Sequence, residues 1–160
     1  MKEVVENFYS AIRNGDTKLI DELITKDPSL INIKDQRGST PLILATYYGH
    51  GDLANLLLER GADIDGKDGS GNTALMGVCF KGFAEIAKKL VDKGAKVNVI
   101  NAMGATSLIY TAMFNKIEIA KILLNHGADT SIKDARGQTA YDHAKLQGNA
   151  LFMDLVMQNR

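Results

Sequence analysis

The chain carries no surplus of either charge sign: nineteen Lys and Arg balance nineteen Asp and Glu over 160 residues. It therefore lacks the summed positive field that draws proteins to phosphate backbones or anionic lipid, which argues against a nucleic-acid or membrane partner. It also has only one cysteine, Cys79. One thiol makes no intramolecular disulfide and no zinc cage by itself, and it fits a reducing, cytoplasmic compartment. No apolar run approaches the roughly 18 residues of a membrane span. The opening Met-Lys-Glu-Val-Val-Glu-Asn puts two acids where a signal peptide carries its basic end, so any export signal would have been removed before this chain begins. What is present, 45% hydrophobic and 24% charged residues, is the composition of a folded domain or short repeat array rather than of a disordered segment.

Self-similarity decides the organisation. Gly38, Gly71, Gly104 and Gly137 are each 33 residues apart, and Thr40, Thr73, Thr106 and Thr139 keep the same spacing two positions later. Gly61, Gly94 and Gly127 are each followed by alanine. The apolar pair Leu53 and Leu57 recurs as Ile86 and Leu90, as Ile119 and Leu123, and as Phe152 and Val156. The register thus holds through four copies.

Each unit reads as a tight turn, two short helices and a returning loop. Asp68-Gly69-Ser70-Gly71 and Asp134-Ala135-Arg136-Gly137 are turn sequences, since Asp bonds its own backbone and Gly tolerates positive φ. Thr40 and its repeats are placed to cap the first helix, with Pro41 where a missing donor does least harm. Gly49, Gly82 and Gly148 end that helix, and Asn115 substitutes in the fourth unit. In the second helix Leu53, Leu56 and Leu57 follow the i, i+3, i+4 pattern up to Gly61.

These features resemble the ankyrin repeat, whose pattern is visible as Gly38-Ser39-Thr40-Pro41-Leu42, Gly49-His50 and Gly61-Ala62-Asp63. The resemblance covers essentially the whole chain and implies an all-α repeat solenoid, a single domain over residues 1–160. Its units fall at about 1–34, 35–67, 68–100, 101–133 and 134–160. The family's usual histidine after Pro-Leu is replaced by Ile43, Met76 and Ile109, which implies an apolar contact between repeats instead. The first unit lacks the turn signature and opens on Lys2, Glu3 and Glu6, with Leu19, Ile20, Leu23 and Ile24 as its inner face. The last carries Asp142 and His143 at helix positions and stops without a returning loop. Both ends therefore read as caps, and a complete monomeric array is expected.

The resemblance also implies a concave surface lined by turn tips and first helices, where ankyrin proteins bind partners. The two positions before each interhelix glycine face it: Arg13 and Asn14, Tyr47 and Tyr48, Phe80 and Lys81, Met113 and Phe114, Leu146 and Gln147. The middle three units thus present a stripe of aromatic and Met side chains, the residue types enriched in interface cores. Arg37, Met103 and Arg136, with Gln36, Ser70, Asn72 and Gln138, form a mixed rim. Gly77 and Tyr110 occupy the repeat position of Leu44, and the ring of Tyr110 is expected to fill the volume missing at Gly77.

The chemistry of an enzyme is not legible: no nucleophile, base and orienting group converge, and no metal-ligand spacing or cofactor motif is present. Gly66-Lys67-Asp68-Gly69-Ser70-Gly71 lacks phosphate-loop spacing and reads as a repeat turn. His50 and His126 read as capping or packing residues at helix ends. Asp142 and His143 are neighbours about 100° apart on a helix, so they make no oriented pair. Cys79 reads as a small core residue. The leading expectation is a non-enzymatic protein-binding module. The alternative is an inhibitor or chaperone-like protective module for one enzyme.

Overall fold

The computed structural model describes all residues from Met1 to Arg160 as ten helices and one 3₁₀ turn. The first unit holds α1 (Lys2–Asn14), α2 (Thr17–Lys26) and the 3₁₀ turn (Pro28–Asn32). Then follow α3 (Pro41–Tyr47) with α4 (Gly51–Glu59), and α5 (Ala74–Lys81) with α6 (Ala84–Asp92). The chain ends in α7 (Ser107–Met113) with α8 (Ile117–Asn125), and α9 (Ala140–Leu146) with α10 (Ala150–Gln158). First helices stack in the order α1, α3, α5, α7, α9, while α2 packs on α4 and α6 on α8. This is the all-α repeat solenoid.

Helices of seven to thirteen residues are marginal in water by themselves, so caps and stacking must hold them. Thr40, Thr73, Thr106 and Thr139 each accept the N–H three residues on, at 3.2, 3.4, 3.2 and 3.2 Å. In the last unit Asp142 returns the bond to the Thr139 N–H at 2.9 Å, closing a capping box. Asn115, at φ 54°, is the one residue other than glycine with positive φ, and it stands where the other units use glycine. Beneath these caps one continuous apolar cluster runs from Phe8 to Val156, and Ile43, Met76 and Ile109 are all buried.

The turn tips join the units. In each, an Asp or Asn side chain accepts two backbone N–H groups: Asp35 those of Arg37 and Ser39, Asp68 those of Ser70 and Asn72, Asn101 those of Met103 and Ala105, Asp134 those of Arg136 and Gln138. Each tip then donates to the tip before it. Gly69 N–H bonds the Arg37 carbonyl at 2.9 Å, Ala102 that of Ser70 at 3.0 Å, and Ala135 that of Met103 at 2.9 Å.

One expectation needs correction at the start of the stack. Leu19 is not on the inner face of the first unit: it is 37% exposed, because α2 turns Ile20 and Ile24 inward instead. The last unit ends the stack on a mixed face. Asp142 is committed to its capping box, whereas Leu146, Leu151 and Met157 stand exposed.

The tips make a testable comparison. A Cβ on Gly38 would stand 2.7 Å from the backbone nitrogen of Gly69, whereas one on Gly137 would meet nothing within 4 Å; both glycines have positive φ, 76° and 77°. Gly137→Ala should therefore lose only the left-handed strain, about 1 kcal/mol. Gly38→Ala should lose at least about twice that, since backbone must also move. Urea denaturation of the two variants measures the difference, and equal losses would mean that the tip-to-tip approach imposes no constraint.

Candidate partner-binding surface

The stripe of exposed aromatic and Met side chains is built at the end of each first helix. Because the apolar face of α3, α5 and α7 is consumed by Leu42, Leu75 and Leu108 and their neighbours, the residues before the interhelix turn project away from the core. Tyr47, Tyr48, Phe80, Met113 and Phe114 are between 37 and 45% exposed. They form two groups. Tyr47 and Tyr48 meet edge to face with centroids 5.7 Å apart, and the Lys81 ammonium lies 5.0 Å from the Tyr47 ring centre and 5.9 Å from that of Phe83. Phe80 meets Phe114 edge-on at 4.8 Å, and Phe114 stacks on Tyr110 at 6.1 Å. Lys81 thereby links the second unit to the third, and Phe80 links the third to the fourth. Such contacts hold the rings while leaving area open, each aromatic pair contributing about 1 kcal/mol.

At the rim Met103 is 60% exposed, and Arg37 and Arg136 project into solvent with no carboxylate in ion-pair range. Farther along, Gln147 donates to the Met113 carbonyl at 2.5 Å, and Arg13 and Asn14 are exposed at the end of α1.

The expected filling of Gly77 by Tyr110 is corrected. A Cβ on Gly77 would reach only the Tyr47 ring, at 4.0 Å. Tyr110 is held elsewhere by its hydroxyl, which accepts from Asn101 Nδ2 at 2.9 Å beside Asn72 Oδ1 at 3.4 Å. The Tyr110 ring follows its polar end to the tip, since an unbonded phenol there would lose more than the apolar contact gains.

The same position in the last unit is His143, whose Nε2 lies 2.7 Å from Asp134 Oδ2, with the two side chains only 13% and 10% exposed. Reading His143 against its neighbour Asp142 missed this pair. The signal was present in the repeat register, because Tyr110 and His143 each stand nine residues after a tip residue, Asn101 or Asp134. Burial alone would raise the Asp134 carboxyl, but the His143 bond and the N–H groups of Gln138 and Arg136 outweigh it and hold the carboxyl below its usual range. The remaining histidines are structural. His50 Nε2 lies 2.8 Å from the Arg13 carbonyl, and its ring packs against Gly15. His126 Nδ1 lies 2.8 Å from the Ile122 carbonyl at the end of α8. Burial pushes the Cys79 thiol up to about 12, against a smaller lowering by Ser107, so it is not a thiolate nucleophile at neutral pH. No group of three His, Cys, Asp or Glu side chains is placed to hold a metal ion, and no helix is long and apolar enough to cross a membrane.

Asp134 supplies a pH test. A carboxyl lowered in the folded state stabilises above its ordinary value near 3.8, and that contribution is lost as pH falls through the folded value. Asp134→Asn, which imports the residue found at position 101, should melt below the wild type at neutral pH. The gap should narrow as pH falls below 3.8 toward the lowered folded value. Paired melts across an acid titration check this, and a constant gap would remove the carboxylate charge from the account.

Comparison with known proteins agrees with this architecture. The family model described as ankyrin repeats (3 copies) matches residues 8–101 and again 75–159. Among curated proteins, the mouse ankyrin repeat and SAM domain-containing protein 6 is 37% identical over 59 residues, covering 37% of this chain and 7% of that protein. Human NAD-capped RNA hydrolase NUDT12 is 33% identical over 62 residues, covering 39% of this chain and 13% of the hydrolase. The putative ankyrin repeat protein FPV240 of fowlpox virus is 32% identical over 63 residues, 39% of this chain and 15% of the viral protein. This chain therefore spans only a small part of the length of these relatives. Two overlapping matches across nearly every unit, together with capped helix pairs stacked at a 33-residue period, make the chain a member of the ankyrin repeat family, a family of protein-interaction modules.

Proposed function

We propose that the chain is a non-enzymatic binding module, acting as a monomer in the cytoplasm, that grips a protein partner through its concave face. The observation that carries this reading is the exposure of Tyr47, Tyr48, Phe80, Met113 and Phe114 at register-equivalent positions of three consecutive units. A solvated wall needs no ring there: the buried face is complete without them, and a contiguous exposed apolar patch marks an interaction surface. Aromatic side chains contribute large contact area for little lost rotamer freedom, and Lys81 adds one cation within the stripe. Met103, Arg37 and Arg136 form the polar and adaptable rim around it.

The test is capture of a partner from native lysate by the intact chain and by the double variant Tyr48→Glu, Phe114→Glu. The variant gives up the Tyr47–Tyr48, Phe80–Phe114 and Tyr110–Phe114 pairs, so it should melt roughly 5–10 °C below the wild type while staying folded at the temperature of the capture. Loss of a central anchor weakens binding by about 2 kcal/mol, or roughly 30-fold, so the partner should be retained by the intact chain alone. Equal retention by both proteins would move the binding surface off the concave stripe.

A further inference from the structure

Beside the stripe, between α1 and the first two turn tips, lies an open cavity of about 1320 Å³. Tyr47 and Tyr48 form one wall, continuous with the stripe, and Val5, Ile43 and Leu44 add apolar floor. Its polar groups are unequal in what they have already bonded. Asp35 and Asp68 line it, but each turns its Oδ1 to two N–H groups of its own tip. Lys34 is also committed, donating to the Lys67 carbonyl at 2.9 Å. Lys2, Arg13 and Arg37, by contrast, have no carboxylate within 4.0 Å, and Glu6 is the one acid of the lining without a bond. Tyr9 completes the wall. It is 8% exposed, and its hydroxyl has no hydrogen-bond partner. A buried donor left unmade is costly, so the Tyr9 hydroxyl calls for an acceptor that the free chain does not supply. Burial, with the Asp35 charge as a smaller contribution, raises the phenol, so it remains protonated and a donor across the neutral range.

Resting on the concave-face reading above, we propose that this cavity receives an acidic segment of the protein partner, an extended stretch whose carboxylates meet Arg13, Arg37 and Lys2 while its apolar side chains lie against Tyr47 and Tyr48. The cations Lys2, Arg13, Lys34 and Arg37 outnumber the carboxylates Glu6, Asp35 and Asp68 in the lining by one, and the three cations without a partner favour a ligand that brings its own carboxylates. Carboxylate is the chemistry that guanidinium forks match bidentately. Apolar floor between the cations favours a polypeptide over a nucleic-acid backbone, and the zero net charge of the chain points the same way.

The probe is a fluorescein-labelled heptapeptide alternating glutamate with phenylalanine and leucine, titrated beside its glutamine and lysine counterparts and a single-stranded oligothymidylate. The glutamate peptide should bind at least tenfold more tightly than the glutamine peptide, with affinity falling as salt rises, and the lysine peptide should not saturate. Arg13→Gln with Arg37→Gln should remove most of that preference, and the melting point should hold because both side chains are exposed. Tyr9→Phe separates ligand binding from structure: it should weaken the glutamate peptide several-fold with no fall in melting temperature, since the lost hydroxyl bonds nothing in the free protein. Equal affinity for glutamate and glutamine peptides, indifference to the double Arg substitution, no binding of any peptide, or preference for the oligonucleotide would each overturn the proposal. A glutamate preference that depends on Arg13 and Arg37 would stand even if the Tyr48 and Phe114 variant kept its partner. Stripe-dependent capture with no peptide preference would sink the acidic segment alone.

Discussion

The backbone hydrogen bond from each turn tip to the tip before it is the constraint on which the rest of the molecule depends. Gly69 to Arg37, Ala102 to Ser70 and Ala135 to Met103 set the separation of neighbouring units at one edge, while the apolar cluster from Phe8 to Val156 sets it along the helices. With both edges fixed, a side chain at a given repeat position has the same outlook in every unit. A short helix that would fray alone becomes a rigid platform because its neighbour supplies the missing buried face.

This arrangement separates the residues that fold the chain from those available for recognition. Threonine caps, tip Asp or Asn residues and inward leucines recur because each satisfies a backbone group or fills a fixed volume. The two positions before the interhelix turn fill no fixed volume in the buried core, and they vary: Tyr-Tyr, Phe-Lys, Met-Phe, Leu-Gln. Variation at a geometrically constant place lets one scaffold present different surfaces, and it is why family membership here speaks to protein interaction without identifying a partner.

The position shared by Leu44, Gly77, Tyr110 and His143 lies between these two kinds. It is near enough to the tip for a long polar side chain to reach it, and near enough to the groove for an apolar one to pack there. Tyr110 reaches Asn101 and His143 reaches Asp134, so the tip residue and its partner differ together between the fourth and fifth units. A hydroxyl can accept from an amide, and an imidazole can donate to a carboxylate. Each unit keeps its tip bonded by a different pair.

Periodicity made the helix pairs, the capping threonines and the substitution of Asn115 for glycine legible in the sequence, because these depend on contacts within one unit or on local backbone geometry. The placement of the stripe residues at the open end of each first helix followed from the same register. What the sequence could not show was how side chains from different units divide the remaining space. Leu19 faced outward, Tyr110 left the gap at Gly77 to Tyr47, His143 chose Asp134 over its neighbour Asp142, and Tyr9 kept a buried hydroxyl without a partner beside a cavity of free cations. Each of those outcomes turns on a few ångströms across a packed interface between groups far apart in the chain. Only the stacked tertiary structure brings them close enough to compete.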